Sequence, residues 1–200
     1  RNQVNAQFAR AQSCGKTRRF SAHVLAGHCT AMHSYEESVA RKAIELIAAT
    51  GVQVVANPLD NIVLQGRGDG YPRRRGITRI PELLEAGARV GVGHDSIMDP
   101  WYPLGRGHLV DAASMLIHVS QMTKPEEINR VHRILTEDNH APFGGVAPLQ
   151  VGSSADFLVH SVKNPAEVLR TRATPRWVFR HGQIVAQTLP TVSNVLGEEI

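Results

Sequence analysis

The residues able to do chemistry in this chain gather where apolar runs end. Ala88-Arg89-Val90-Gly91-Val92 has the length and apolar character of a buried strand. It delivers an imidazole and a carboxylate side by side, His94 and Asp95, into the loop Ser96-Ile97-Met98-Asp99-Pro100-Trp101-Tyr102-Pro103. Ionisable groups at the mouth of a parallel sheet stand where α/β enzymes carry out their reactions. A carboxylate there can ligate a metal ion and accept a proton from water that the metal acidifies. Two further runs end in polar residues, at Gly27-His28-Cys29-Thr30 and at Ala56-Asn57-Pro58. His94 precedes the carboxylate and is read as a packing group or one that supports the ligand from behind, not as a ligand itself.

The elements that must position these groups follow from periodicity and breakers. Residues 20–26 alternate loosely and predict a strand ending at His28. Residues 36–49 predict a helix: Glu36 and Glu37 open it, Gly51 closes it, and Val39, Ala43, Leu46 and Ile47 share a face. Val52-Gln53-Val54-Val55-Ala56 is the next strand, ended by Asn57-Pro58. Residues 59–78 hold Gly66, Gly68, Gly70, Pro72 and Gly76 and predict a long loop of the functional kind. A short helix over 81–87 leads to the strand 89–95. Strand, helix, strand, helix, strand spells parallel β/α units. Three polar strand ends on one face is the pattern of a (β/α)8 barrel active site.

Residues 105–122 and 124–135 predict two more helices, the second with Pro125 in its first turn. Beyond His140 the texture changes. Pro142, Gly144, Gly145, Pro148 and Gly152 interrupt helices, and residues 156–160, 177–180 and 183–186 predict short strands, with His181-Gly182 as a hairpin turn. The expected domains are therefore 1–140, part of a barrel, and 141–200, a small β appendage and tail. Residues 1–18 are polar and predict a helix stopped near Gly15.

The chain has 200 residues, 42% of them hydrophobic and 5% aromatic, as suits an α/β protein. No apolar run approaches the ~20 residues of a membrane span, and no signal peptide opens the chain. It starts at Arg1 without an initiator Met, which predicts a piece of something larger. Cys14 and Cys29 match no disulfide framework or zinc spacing, so a reduced, cytoplasmic setting is expected and Cys29 reads as a buried filler. The net charge is +4, concentrated at Arg67, Arg73, Arg74, Arg75 and Arg79. With Tyr71 as the lone aromatic among them, the run reads as a solvated loop or subunit contact, not a nucleic-acid patch. His33 could line a pocket. His23, His108, His118, His132, His140, His160 and His181 have no metal-ligand spacing with a neighbour.

Several segments together carry a family resemblance. Gly27-His28-Cys29-Thr30-Ala31-Met32-His33-Ser34-Tyr35, Ala56-Asn57-Pro58-Leu59, Gln65-Gly66-Arg67, Tyr71-Pro72-Arg73-Arg74-Arg75-Gly76-Ile77-Thr78-Arg79 and residues 94–105 resemble bacterial cytosine deaminase-like enzymes of the metal-dependent amidohydrolase superfamily. Val151-Gly152-Ser153-Ser154-Ala155-Asp156-Phe157-Leu158-Val159 resembles that superfamily's β-sandwich strand. The resemblance implies an α/β fold: the C-terminal portion of a (β/α)8 TIM barrel, strands six to eight, plus part of a small β-sandwich. It implies that Asp95 is a metal ligand and proton shuttle and that His28 orients the attacking hydroxide. Trp101 matches a pocket tryptophan beside the ring, and Ser96, His33 and Asn57 join it as expected substrate-binding residues. One divalent metal ion, Zn2+ or Fe2+, is the implied cofactor. The implied reaction is hydrolytic deamination of a cyclic amidine, such as cytosine or a related pyrimidine, purine or triazine ring.

The family's metal site also needs a His-x-His pair, a further His and a Glu, none of which this chain places. A barrel takes ~250 residues, and three strands cannot close one. A second polypeptide carrying the N-terminal barrel half is therefore expected, in an oligomeric assembly that binds a small heterocycle and neither nucleic acid nor membrane. Ser96 stands where cytosine deaminases carry a second acid, which shifts the expected selectivity. His140-Ala141-Pro142-Phe143-Gly144-Gly145 replaces the usual Ser-Ala-Arg/Lys-x-Leu-Gly helix. Two alternatives stand beside deamination: hydrolysis of a cyclic amide, as in hydantoinase-like relatives with two metals, and a half-barrel without catalysis.

Overall fold

Three short strands, β1 (Leu25–Gly27), β2 (Gln53–Ala56) and β3 (Arg89–Val92), form a parallel sheet in the order β1-β2-β3. The computed structural model describes residues 24–144 and 149–189. The chain divides into two compact units, Arg1–Val146 and Ala147–Ile200. The helix expected over 1–18, the start of the strand expected over 20–26, Cys14 and His23 lie outside the described residues.

Helix α1 (Glu37–Thr50) links β1 to β2. Gly51, at φ 75°, ends it by donating its N–H to the Ile47 carbonyl. Its buried stripe is Ala40, Ile44, Ile47 and Thr50, one position on from the expected face, and Val39 is half exposed. The doublets Val39-Ala40, Ala43-Ile44 and Leu46-Ile47 offer two overlapping stripes, and contact with the sheet selects one. Helices α2 (Pro58–Leu64) and α3 (Ile80–Glu85) lie between β2 and β3. The loop expected over 59–78 is thus helical at its start. Pro58 presets the first turn after Asn57, and no glycine intervenes before Gly66.

The two faces of the sheet differ. Ala26, Val54, Ala56, Val90 and Val92 are buried against the helices. On the other face Leu25 is 41% exposed, Gly27 is exposed and Val55 is half-buried. Parallel sheets are normally covered on both sides.

Helices α4 (Leu109–Val119) and α5 (Pro125–Thr136) follow β3. Helix α4 starts later than residue 105, because Gly105 and Gly107 adopt positive φ. In α5 the Glu127 carboxylate accepts the Lys124 N–H at 2.9 Å, which secures the first turn. Where helix breakers were expected, residues Asp138–Phe143 form a 3-10 turn. From this turn the Asn139 side chain reaches the open edge of β3. Its Oδ1 accepts from the Val92 N–H at 2.8 Å and its Nδ2 donates to the Val92 carbonyl at 2.9 Å. Gln53 Nε2 donates to the Asp138 carbonyl at 2.8 Å. A Cβ at Gly91 would stand 2.8 Å from Asn139 Oδ1 and 2.9 Å from Gln53 Nε2, so any larger residue must displace these two amides.

The basic loop is tied to its own surroundings. Arg74 makes a two-pronged pair with Asp69, and Arg79 pairs with Glu37 at 2.7 Å and donates to the Met32 carbonyl. No helix among the described residues is long and apolar enough to cross a membrane.

In the second unit β4 (Phe157–Val159), β5 (Trp177–Arg180) and β6 (Gln183–Gln187) form an antiparallel sheet in that order. Phe157 and Phe179 stack at 4.5 Å across β4 and β5. His181 and Gly182, both at positive φ, make the β5–β6 turn. A helix not expected from the sequence, α6 (Pro165–Thr171), precedes β5, with Asn164 Oδ1 accepting the Glu167 N–H at 3.0 Å.

Candidate active site

The carboxyl ends of β1, β2 and β3 bring His28, Asn57 and Asp95 together. His28 directly follows β1 and Asp95 lies three residues past the end of β3, both in the left-handed region, at φ 61° and φ 65°. Such backbone costs ~1 kcal/mol or more for a residue other than glycine, and it clusters at functional sites. Local bonds hold His28 there: its N–H donates to the Val55 carbonyl at 2.8 Å, and its own carbonyl accepts the Thr78 hydroxyl at 2.5 Å.

His28 Nε2 stands 3.3 Å from Asp95 Oδ2. Both side chains are partly open to solvent. On the other side of the ring, Nδ1 donates to Asn61 Oδ1 at 2.9 Å. A carbonyl oxygen can only accept, so Asn61 fixes the hydrogen on Nδ1 and leaves Nε2 facing the carboxylate. Asn57 is buried against the same ring, its Nδ2 3.3 Å from Nε2 and 3.4 Å from Nδ1. Gly93 makes room for it, since a Cβ there would fall 2.2 Å from Asn57 Oδ1.

Asp60 was not singled out from the sequence, nor was Asn61. Both lie on α2, a helix that was expected to be a loop. Asp60 is 4% exposed, and among the described residues no N–H or O–H group reaches its Oδ1. Burial, then the charge of Asp95 and a hydrogen bond shared with that carboxyl, push the Asp60 carboxyl above the usual aspartate range. The signal available was an Asn-Pro-x-Asp-Asn run directly after a strand, with carboxylate and amide on the first turn of a helix.

The loop after β3 is organised by Asp99. Its Oδ1 accepts the N–H groups of Trp101 and Tyr102, each at 2.9 Å. The Tyr102 N–H first, with the Ser96 hydroxyl and the Trp101 N–H, holds the Asp99 carboxyl below its ordinary value. The Ser96 hydroxyl is thereby engaged with Asp99. Trp101 projects 65% exposed. His94 turns away from the site: it is buried, its Nδ1 lies 3.1 Å from the Ser96 carbonyl, and it meets Tyr102 edge-on at 6.1 Å. His33 is exposed on the turn Thr30–Ser34. Cys29 is buried, its thiol pushed up to about 11 by that burial, as befits a filler.

Asp95 offers a carboxylate oxygen at an open point, with the His28 imidazole beside it, and such a carboxylate suits a divalent cation. Among the described residues no three His, Cys, Asp or Glu side chains are grouped to hold one. The carboxylate therefore fits part of a metal site.

Residues 2–186 match the model of the amidohydrolase family. The chain belongs to that family. It is 31% identical over 174 residues to a pterin deaminase of Rhizobium rhizogenes, a match covering 86% of this chain and 39% of that protein. Among solved structures, the 5-methylcytosine deaminase of Klebsiella pneumoniae liganded with 5-fluorocytosine superposes with a TM-score of 0.82 at 31% identity, over 95% of this chain and 45% of that one. The N-isopropylammelide isopropylaminohydrolase of Burkholderia multivorans superposes with a TM-score of 0.73 at 19% identity, over 92% of this chain and 43% of that one. This amidohydrolase-family chain thus has a TIM-barrel-type α/β fold and spans less than half the length of these relatives.

Proposed function

We propose that this chain is the C-terminal part of a (β/α)8 barrel, strands six to eight, and that it serves metal-dependent hydrolytic deamination of a cyclic amidine. In that reading residues 1–140 belong to the barrel and 141–200 to a β-sandwich appendage. The observation that carries it is the meeting of Asp95 and His28, 3.3 Å apart at the carboxyl ends of β3 and β1. The two relatives at 31% identity, a pterin deaminase and a 5-methylcytosine deaminase, support ring deamination.

The chain's own residues have distinct tasks. Asp95 accepts a proton from the attacking water and returns it to the exocyclic nitrogen, which leaves as ammonia. His28, with its Nδ1 hydrogen fixed by Asn61, presents Nε2 to the attacking oxygen. Trp101 walls the ring; Ser96, His33 and Asn57 line the approach. A divalent cation, Zn2+ or Fe2+, held by Asp95 with imidazoles from outside the described residues, supplies the acidity that makes water a nucleophile near neutral pH. A second polypeptide, or a further part of the same one, brings the His-x-His pair, the additional His and the Glu. The exposure of Leu25 and Gly27, with Val55 half-buried, on one face of a parallel sheet supports such a complement. A cytoplasmic oligomer acting on a small heterocycle, without nucleic acid or membrane, completes the reading.

The test is ammonia release from cytosine, 5-methylcytosine, pterin and aminotriazines by the complete assembly, with Asp95→Asn alongside. Release that depends on Asp95 supports the proposal. Equal rates in the two proteins refute it.

A further inference from the structure

Asn57 occupies the N-cap of α2, where an asparagine side chain normally accepts an N–H of the first turn. Here it makes no such bond. At 7% exposure it also has little surface to offer a substrate. Its amide is set against His28 instead, with Nδ2 3.3 Å from Nε2 and 3.4 Å from Nδ1. A nitrogen so nearly equidistant from both ring nitrogens cannot lie in the ring plane, where Cε1 on one side or Cγ and Cδ2 on the other would block it. It lies against a face of the imidazole, and an N–H so placed restrains the plane of the ring. It leaves the edge of the ring at Nε2 open toward Asp95 Oδ2, 3.3 Å away. Asn61 holds the opposite edge, accepting the Nδ1 hydrogen at 2.9 Å. The two amides are tied to one another, because the Asn61 N–H donates to the Asn57 carbonyl at 3.0 Å and so opens α2. Gly93 closes on Asn57 from behind. A Cβ there would fall 2.2 Å from Asn57 Oδ1 and 3.3 Å from Val55 Cγ1, so a side chain at 93 must push the amide off its seat.

We propose that Asn57 is a positioning residue: seated by Gly93, its amide sets the plane of the His28 imidazole, while Asn61 sets which ring nitrogen carries the hydrogen. The inference rests on the reading of His28 as the group that meets the attacking oxygen, and it moves Asn57 from substrate contact to support of the ring. The amide forgoes capping its own helix to make this contact, as expected of a side chain retained for its site. A ring held at one edge only can turn about its bond to Cβ, and a small misplacement of a reacting group is costly in rate.

The experiment compares Asn57→Ala, Gly93→Ala and the two combined in the complete assembly, with Asp95→Asn as a reference. Two readouts are taken. One is nitrogen NMR of the His28 ring in metal-free protein at alkaline pH, its signals identified by their loss in His28→Gln. The other is steady-state ammonia release. Wild type should show a single neutral tautomer, with its hydrogen on Nδ1. Asn57→Ala should mix the two tautomers and lower kcat about tenfold or more with KM little changed. Gly93→Ala should do the same, although residue 93 touches neither the ring nor a substrate. The combined variant should be no worse than Asn57→Ala alone, because the new methyl enters space that the amide has left. That methyl also offsets the lost volume, so the combined variant carries the comparison where Asn57→Ala alone does not fold. The role is overturned if the tautomer or kcat is unchanged without the amide, if Gly93→Ala behaves as wild type, or if the two losses multiply. Failure of both Asn57→Ala and the combined variant to fold makes the side chain a packing element and overturns it as well. Equal ammonia release by wild type and Asp95→Asn removes the deamination reading, and the ring NMR then decides the role of Asn57 by itself.

Discussion

Replacing Asn139 by alanine tests how the sheet that carries the site is finished. The Asn139 amide closes the free edge of β3, taking the Val92 N–H at 2.8 Å and giving a hydrogen to the Val92 carbonyl at 2.9 Å. Each such bond is worth about 1 kcal/mol net. Asn139 is itself half-buried, so water can enter after truncation and limit the penalty. Asn139→Ala should therefore cost about 2 kcal/mol, or roughly 4–8 °C in melting temperature. Gly91→Ala should cost a similar amount, because its new methyl, 2.8 Å from Asn139 Oδ1 and 2.9 Å from Gln53 Nε2, must displace both amides. In the Asn139→Ala background one of those two clashes is gone. The cost of Gly91→Ala should then fall by about 1 kcal/mol, since residues sharing a contact do not add. The assay is a double-mutant cycle by urea unfolding of the complete assembly. Strictly additive costs, or an Asn139→Ala loss below about 0.5 kcal/mol, would refute the edge-closing role.

Two further outcomes follow from the site. Asn61→Leu removes the acceptor for His28 Nδ1 at 2.9 Å, so the imidazole is no longer held in one tautomer; kcat should fall about 10–100-fold with KM little changed. An unaltered kcat would remove Asn61 from the account. For Asp99, bonds from Tyr102, Ser96 and Trp101 lower the folded-state value beneath the ordinary 3.8, so what they contribute is complete above that value and disappears as pH falls through the depressed one. Trp101 fluorescence, followed in a Trp177→Phe background, should accordingly stay constant from neutral pH down to about pH 4 and change only below it; a transition between pH 5 and 7 would contradict the assignment.

The parallel sheet was legible because its strands are short apolar runs ended by Gly27-His28, Asn57-Pro58 and His94-Asp95, and the two main site groups were found because they stand directly past those ends. Asp60 and Asn61 were passed over because the glycines at 66, 68, 70 and 76 extended a loop assignment back across a proline-started helix turn. The buried stripe of α1 could not be fixed from its apolar doublets, since either of two faces satisfies the period and only the sheet decides. Helix α6 did carry its own signal, Asn164-Pro165-Ala166-Glu167, an N-cap with proline at the first helical position; at seven residues it is too short for periodicity to register. The Asn139 clamp has no local signature at all, because the bonds join residues 47 apart in the chain.

That clamp guards one point on the margin of the sheet. With the amide and carbonyl of Val92 already satisfied, β3 offers a stray strand no template at that residue. The opposite margin, at Leu25–Gly27, carries no comparable side-chain plug among the described residues. Accretion of one molecule onto another along β3 has to start away from Val92, and a proline or lysine introduced elsewhere on that margin is the rational place to raise solubility when the polypeptide is produced without its complement.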